Sequence, residues 1–538
     1  MGFNTLTNSS QEIVSVVAGS AVAAGDLVTY SEAGGVAPSS VALGLTIENT
    51  TTAGMSVVYP LTAQTAAIDG GTPNMAKTAC ELGDGNVAFA FSGDGSIGTN
   101  NVNLMITTAT LSAVSGRLAV AAITSVTAIR VLKISSTQFV VSWLQASSVL
   151  RFVVCNNNGT VAVAAVTVAS LAGSSVSTWN VSPLAGGNFV FAYHKSTNDC
   201  AFSIFNPSGV LQGSETTVEA GGTPYYLAIC GCANGDFAIS YYRSAATNAY
   251  KAARYTASGV IIGSLVTLVN AGASLNYGDP SNGIIELANG SLVFATTGGS
   301  DASPDFHIRT SAMVAVVSID PGALVFTDSE CPQLIALDAG FSALGRSKSN
   351  NGTYLITYTN AGIVASKSAS ISLGVTGAGS SSGSSGTGVS ASRVGAFGYA
   401  VARVGYESGG GNYDLNIGVM SPAGVLIGSA IAIRAAGVAA NYGVCTFLHS
   451  SGVFIGSYVD STSSSRFFNF AYNPVRRSLL GVAAETKTAG QVVRVQTKGT
   501  FAINQTFPMG GVFDQTAAVV PGTKGSISGT TAILRGTK

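Results

Sequence analysis

Between residues 201 and 213 the chain reads AFSIFNPSGVLQG. Apolar side chains alternate, Asn-Pro-Ser-Gly reverses the chain, and Val-Leu opens a second apolar run. Near copies follow as AARYTASGVIIG at 252–263 and NIGVMSPAGVLIG at 416–428. A period of two, with Gly or Asn at each reversal, predicts antiparallel β-hairpins. A second pattern recurs beside the first, a small-residue turn leading into an alternating aromatic strand. Its copies begin at Asp84, Ser136, Gly186, Asn234, Asn289, Asn351, Ala396 and Ser451. The turns at Asn158-Gly159, Ser208-Gly209 and Ser258-Gly259 repeat every 50 residues.

One complete unit holds PYYLAIC (224–230), DFAISYY, AYKAARYT and VIIGSLVTLV, which is four strands. Four antiparallel strands at this period are expected of a β-propeller blade. A lone four-stranded sheet cannot bury both faces, whereas sheets packed in a ring bury one another. The fold expected is therefore all-β, a seven- or eight-bladed β-propeller of four-stranded antiparallel blades spanning 69–478. After the eighth copy, RFFNFAYNPVRRS runs directly into unrelated sequence, so that blade is expected to borrow its outer strand from elsewhere. The stretch TGAGSSSGSSGTGVSAS (376–392) reads as a long surface loop inside the sixth unit.

The two ends lack the blade pattern and resemble each other. LGLTIENTTTAGMSVVYP (43–60) parallels LGVAAETKTAGQVVRVQTKG (480–499), placing Gly44, Glu48 and Gly54 against Gly481, Glu485 and Gly490. AAGDLVTYSEAGGVAPSS (23–40) has a likeness in GGVFDQTAAVVPGTKGSISG (510–529). A ring fold returns the chain near its start. Residues 1–68 and 479–538 are thus expected to form one small β-barrel-like module with the propeller inserted between its halves.

The stretch carried by Gly481, Ala483, Glu485, Ala489, Gly490, Val493 and Val495 resembles a segment frequent in virion proteins of tailed bacteriophages. These include tail-fibre, nozzle and head-decoration proteins, some of which hold β-propellers. The resemblance covers about 120 terminal residues. It implies a non-enzymatic structural component of a virion, made in the host cytoplasm. Such a component would assemble through the terminal module with other virion proteins and copies of itself. Its propeller would be displayed, with host attachment through a surface glycan as a further role. The alternative is a polysaccharide-binding or glycan-cleaving propeller of a fibre or bacterial surface.

Composition narrows the choice. Charged residues make up 9% of the 538, and 25 basic side chains balance 25 acidic ones. That balance gives no electrostatic footprint for nucleic acid. Alternating segments broken by Ser, Thr, Asn and Gly leave no run of about 18 apolar residues, so membrane insertion is not expected. MGFNTLTNSSQE shows no basic segment followed by an apolar one, so no secretory leader is expected.

Candidate chemistry is sparse. His194, His307 and His449 fall in different repeats without metal-ligand spacing, and no metal or cofactor site is expected. Seven cysteines (Cys80, Cys155, Cys200, Cys230, Cys232, Cys331 and Cys445) are irregularly spaced and read as small core residues. Cys230-Gly231-Cys232 lacks the second pair that a zinc site needs. Glycoside hydrolysis needs two acids about 5–10 Å apart. The acids available are scattered turn formers: Asp94, Asp199, Asp236, Asp279, Asp301, Asp305, Glu330, Asp338, Glu407, Asp414 and Asp460. SGDGSIGTNN (92–101) carries one acid and falls short of a calcium loop. Trp143 and Trp179 follow no sialidase-type box, and Asn158 and Asn351 open Asn-x-Thr triplets. No catalytic residue is expected. Tyr225, Tyr226, Tyr277, Tyr406 and Tyr442 lie in loop-like stretches and could stack on sugars or serve blade packing.

Overall fold

The computed structural model describes residues 5–8, 11–17, 27–30, 36–38, 61–64, 78–92, 101–109, 111–116, 118–123, 126–145, 148–173, 178–244, 248–270, 283–297, 304–320, 333–346, 353–368, 389–394, 398–406, 413–420, 424, 426–438, 444–450, 452–460, 466–472, 479–483, 492–496, 498–513 and 523–537. The chain divides into two compact units, 63–471 and the combination of 1–62 with 472–538.

The larger unit is a succession of antiparallel sheets, the first seven taking their strands in chain order. Their first strands are Ala79–Glu81, Val126–Lys133, Trp179–Pro183, Pro224–Gly231, Ile284–Glu286, Gln333–Leu337, Val389–Val394 and Val444–Leu448. The fourth sheet shows the pattern in full, adding Phe237–Arg243, Ala249–Tyr255 and Ile261–Asn270. The eighth combines Val444–Leu448, Phe454–Asp460 and Arg466–Tyr472 with Leu61–Gln64, a strand from the N-terminal side of the chain. It joins the seventh sheet through the pair Val438 and Asp460. Each first strand touches that of the next sheet, and that of the eighth touches that of the first. Successive four-stranded sheets meeting along their first strands make a β-propeller-type fold.

The apolar cores lie between neighbouring sheets. Phe152 of the second sheet sits 5.1, 5.5 and 4.9 Å from Phe189, Phe191 and Phe205 of the third. Phe202 repeats this at 5.1 and 4.7 Å from Phe237 and Tyr255 of the fourth. Phe306 repeats it again at 5.7 and 5.5 Å from Phe341 and Tyr358. Burying each phenylalanine stabilises the fold by about 2–3 kcal/mol. Second strands are covered on both faces, and every position of Phe189–His194 is buried. Fourth strands are largely exposed, as in Val161–Ser170.

The recurring hairpin now has a physical reason. In the third sheet Asn206 Oδ1 accepts from the backbone N–H groups of Ser208 and Val210 at 3.0 and 2.9 Å, closing the turn. Gly209 takes a φ of 74°, open to glycine at little cost. A Cβ there would also lie 2.6 Å from Val163 of the preceding sheet. The turn therefore needs glycine twice, once for its own backbone and once to close on its neighbour.

Two expectations need correction. The aromatic-strand copy at Asn351 is the third strand of the sixth sheet, Thr353–Thr359, and the second strand is Gly340–Arg346. Asn351-Gly352 precedes an alternating strand just as the turns before second strands do, so local pattern could not separate them. The segment 376–392 does not sit within the sixth unit. It follows that sheet's last strand, Val364–Lys367, and its end enters Val389–Val394, the first strand of the seventh. Val389, Ser390 and Ala391 are buried there, where small side chains suit the crowded inner position.

In the smaller unit, strands from both chain ends form one sheet in the order Thr5–Asn8, Gln11–Val17, Val492–Gln496, Leu479–Ala483, Leu27–Tyr30 and Val36–Pro38. Val14 pairs with Val495, and Val28 with Gly481. The hairpin of Lys498–Phe513 and Thr523–Thr537 touches three of these strands. Gly481, Ala483, Val493 and Val495 lie in the sheet. Gly44, Glu48, Gly54, Glu485, Ala489 and Gly490 lie outside the described residues.

Candidate functional site

The third and fourth sheets meet at one corner where the repeat breaks down. The second strand of the third sheet, Phe189–His194, ends in a tight turn. Lys195 N–H donates to Asp199 O at 2.9 Å, and Asn198 takes a φ of 66°. The connection to the fourth sheet is pinned to this turn. Gly221 N–H donates to Asp199 Oδ1 at 2.8 Å and Thr223 N–H to Asn198 O at 3.0 Å. Thr223 and Tyr226 take φ values of 42° and 56°. Left-handed backbone in a β-branched and a bulky residue costs about 1–3 kcal/mol each and clusters at functional sites.

The strain has a visible product. The register of Pro224–Gly231 shifts between Tyr225 and Ala228, and the two adjacent tyrosine rings stay near each other. Tyr225 meets the His194 ring at 5.5 Å, edge on, while Tyr226 meets Tyr242 at 6.3 Å. Tyr225 and Tyr226 lie 6.3 Å apart, and Tyr242 continues to Tyr250 at 5.2 Å. Five rings thus form one row. Tyr242, Tyr250 and His194 are buried, and Tyr225, second in the row, stands 36% exposed.

Charged groups pair with the tyrosines next to the row in sequence, Tyr193 beside His194 and Tyr241 beside Tyr242. Glu215 accepts from Tyr193 at 2.7 Å and pairs with Lys195 at 2.5 Å. Glu219 accepts from Tyr241 at 2.7 Å, pairs closely with Lys251, and lies 3.5 Å from Arg243 Nε. Burial drives the Tyr193 and Tyr241 phenols well above their ordinary range, so both stay protonated as donors. The hydrogen bond to Glu215 raises Lys195. The Thr197 hydroxyl, with help from Gly221 N–H, holds Asp199 below the usual carboxylate range. Burial lowers His194, which favours the neutral ring. The corner thus holds one exposed ring, Tyr225, and carboxylates that already accept two or three donors each.

The other sequence candidates are dispersed. His307 is buried between Thr296 Oγ1 at 3.0 Å and Ser318 Oγ at 2.9 Å, and burial lowers it to about 4. His449 bonds Gly85 O at 2.8 Å, joining the eighth sheet to the first. Asp236 shares the buried Arg254 with Glu286, at 3.2 and 3.8 Å, which ties the fourth sheet to the fifth. Asp338 pairs with Arg393 at 2.8 Å across the sixth and seventh. Gly231 lies against the third sheet, its N–H donating to Ser182 Oγ at 2.8 Å. A Cβ there would fall 2.2 Å from Pro183 O, which accounts for the glycine in Cys230-Gly231-Cys232. Burial pushes the Cys80, Cys155 and Cys232 thiols up to about 12. Among the described residues no group of three His, Cys, Asp or Glu could hold a metal, and no helix is long and apolar enough to cross a membrane.

Trp143 and Trp179 are buried, and Asp305 lies in the third strand of the fifth sheet. Asp94, Asp279, Asp301, Glu330, Glu407, Tyr277, Tyr442, Cys331 and Asn351 lie outside the described residues. Of Asp414, Asp460 and Tyr406 only the strand backbone is described. Glu215, Glu219, Tyr242 and Tyr250 were missed by sequence reasoning. A Tyr-x-Lys/Arg ending shared by two second strands, Tyr193 to Lys195 and Tyr241 to Arg243, was the available signal.

No protein-family model matches the chain, and no curated protein matches it. Solved structures share its general form at a distance. A lectin from Burkholderia pseudomallei is 12% identical, covered over 68% of this chain and 100% of its own, with a TM-score of 0.41. The WD40 domain of Toxoplasma gondii coronin is 12% identical over 64% and 80%, with a TM-score of 0.40. A polysaccharide lyase is 10% identical over 64% and 89%, with a TM-score of 0.34. Likenesses this remote carry no function, which has to come from the residues themselves.

Proposed function

We propose that the eight sheets are the blades of one propeller, the eighth closed by Leu61–Gln64, and that it binds carbohydrate at the Tyr225 corner without cleaving it. The observation that carries this is the five-ring row with one ring, Tyr225, exposed between the left-handed residues Thr223 and Tyr226. The C–H face of a pyranose packs on an aromatic ring while its hydroxyls bond polar groups around the edge. Tyrosine suits this because it offers a flat amphipathic surface at little cost in rotamer entropy. Sites for small ligands combine such rings with a few fixed polar groups. Here the third- and fourth-sheet loops supply both.

The test is a glycan array probed with the full chain and with Tyr225→Ala. The expected result is retention of a restricted set of oligosaccharides by the wild type, released unchanged, and loss of that retention in the variant. An array without retained glycans, or a variant that binds as well as wild type, would contradict the reading.

A second reading has its own support. The sheet woven from both chain ends, which contains Gly481, Ala483, Val493 and Val495, suits an attachment module for a non-enzymatic virion component. Detection of the chain in purified phage particles tests it, and its absence from every particle fraction would sink it.

A further inference from the structure

At the opposite end of the sheets from Tyr225, the turns between third and fourth strands carry a different repeated feature. Among the described residues eleven large apolar side chains are well exposed, and ten of them lie in these hairpins, between 39 and 67% exposed. The eleventh is Tyr225. Six consecutive sheets contribute at least one each: Val114, Val161, Val210, Val260, Val314 and Ile363. The recurrence is specific, because the glycine that precedes Val210 and Val260 packs on the neighbouring sheet and leaves the following side chain facing outward.

The hairpins are also uncharged. None of the stretches 108–116, 156–163, 206–213, 256–263, 310–317 and 359–366 contains Asp, Glu, Lys or Arg. Near that end of the sheets Arg254 pairs with Asp236 and Glu286, and Arg393 with Asp338. Such a rim repels neither sign and selects neither. It matches a surface of its own kind. Apolar side chains gathered at one end of successive sheets, rather than scattered singly, mark an interaction surface.

We infer that this hairpin rim is the interface between two copies of the chain, stacked face to face about a twofold axis. An isologous contact requires a self-complementary patch, and a neutral apolar ring repeated from blade to blade is one. A head-to-tail stack would instead set the rim against the Tyr225 end, where no second apolar ring waits among the described residues. The area is adequate. Ten half-exposed branched side chains offer roughly 300–600 Å² of apolar surface, at about 60–120 Å² for a whole side chain. A standard interface buries about 800 Å² per partner, somewhat over half of it apolar. The inference does not depend on glycan binding, and it places the assembly surface away from the binding corner.

Analytical ultracentrifugation of the full chain at tens of micromolar tests it, with two charge-swap variants. One carries Val210→Glu, Val260→Glu, Val314→Glu and Ile363→Glu, and the other carries Lys at the same four positions. The wild type is expected at twice the chain mass. Each variant is expected at the chain mass with an unchanged circular dichroism spectrum and a cooperative thermal transition, and an equimolar mixture is expected to return to the dimer mass. A monomeric wild type, variants that keep the wild-type mass, or a mixture that stays monomeric would each overturn the inference.

Discussion

The two ends of the sheets obey different rules. At the hairpin end the turns are nearly interchangeable, and Gly159, Gly209, Gly259 and Gly362 take φ values of 86, 74, 84 and 78°. Each closes the same way on the sheet before it. Leu111 and Met313 hold the same left-handed place in two further hairpins, whereas at the other end the connections differ from sheet to sheet, and the third-to-fourth connection gathers three such non-glycine residues, Asn198, Thr223 and Tyr226. The first end is repeated because every sheet needs the same packing. The second is irregular because it is free to specialise, and its strain orders two adjacent tyrosines that a regular strand would point to opposite faces. Repetition in this chain marks scaffold, and its failure marks the candidate site.

The scaffold side of this comparison gives the largest expected effects. Arg254 is 2% exposed and holds Asp236 and Glu286 across two sheets. Arg254→Ala leaves both carboxylates without their shared cation and is expected to cost about 3–5 kcal/mol by urea denaturation. Next comes His307, whose folded value of about 4 lies below the unfolded 6.5. The neutral ring stabilises the fold fully above about pH 6.5. That stability is lost as pH falls toward about 4, by about 3 kcal/mol in all. His307→Gln is expected to flatten this part of the stability profile. Burial lowers His194 in the same direction, so the remaining slope keeps its sign.

Smaller effects separate the ion-paired groups of the corner from its exposed ring. Glu219→Gln weakens the contacts to Tyr241, Lys251 and Arg243 and is expected to cost about 1–3 kcal/mol. It should lower glycan affinity only through the corner's order. Tyr225→Ala is expected to change stability by no more than about 0.5 kcal/mol, as for other surface substitutions, while removing binding. If Tyr225→Ala instead destabilised the chain as Glu219→Gln does, the tyrosine would belong to the scaffold.

The strand repeat was legible in the sequence because alternation and turn chemistry are local. Asn206-Pro207-Ser208-Gly209 announces its turn whatever surrounds it. The sixth sheet was misread where a local signal was duplicated, since Asn351-Gly352 imitates the turn before a second strand. The start of the seventh was hidden because its small buried residues continue a Gly/Ser-rich tract. The candidate corner was half visible. Tyr225 and Tyr226 stood out as adjacent aromatics near a turn, but nothing local distinguished them from Tyr277, Tyr406 or Tyr442. Glu215 and Glu219 were invisible because their partners lie 20 to 32 residues away and are joined only by the packing of sheets. His194 looked like a strand-end histidine, and only the fold sets it against Tyr225.

The central claim is that binding resides where the repeat fails. It is tested most directly by calorimetric titration of one array-selected oligosaccharide into three proteins: wild type, Tyr225→Ala, and a hairpin variant, Val210→Ala with Val260→Ala. The account predicts a loss of affinity of roughly tenfold or more in Tyr225→Ala, as for a truncated aromatic anchor worth over 1.4 kcal/mol, and wild-type affinity in the hairpin variant. Equal affinity in all three, or a loss confined to the hairpin variant, would contradict it.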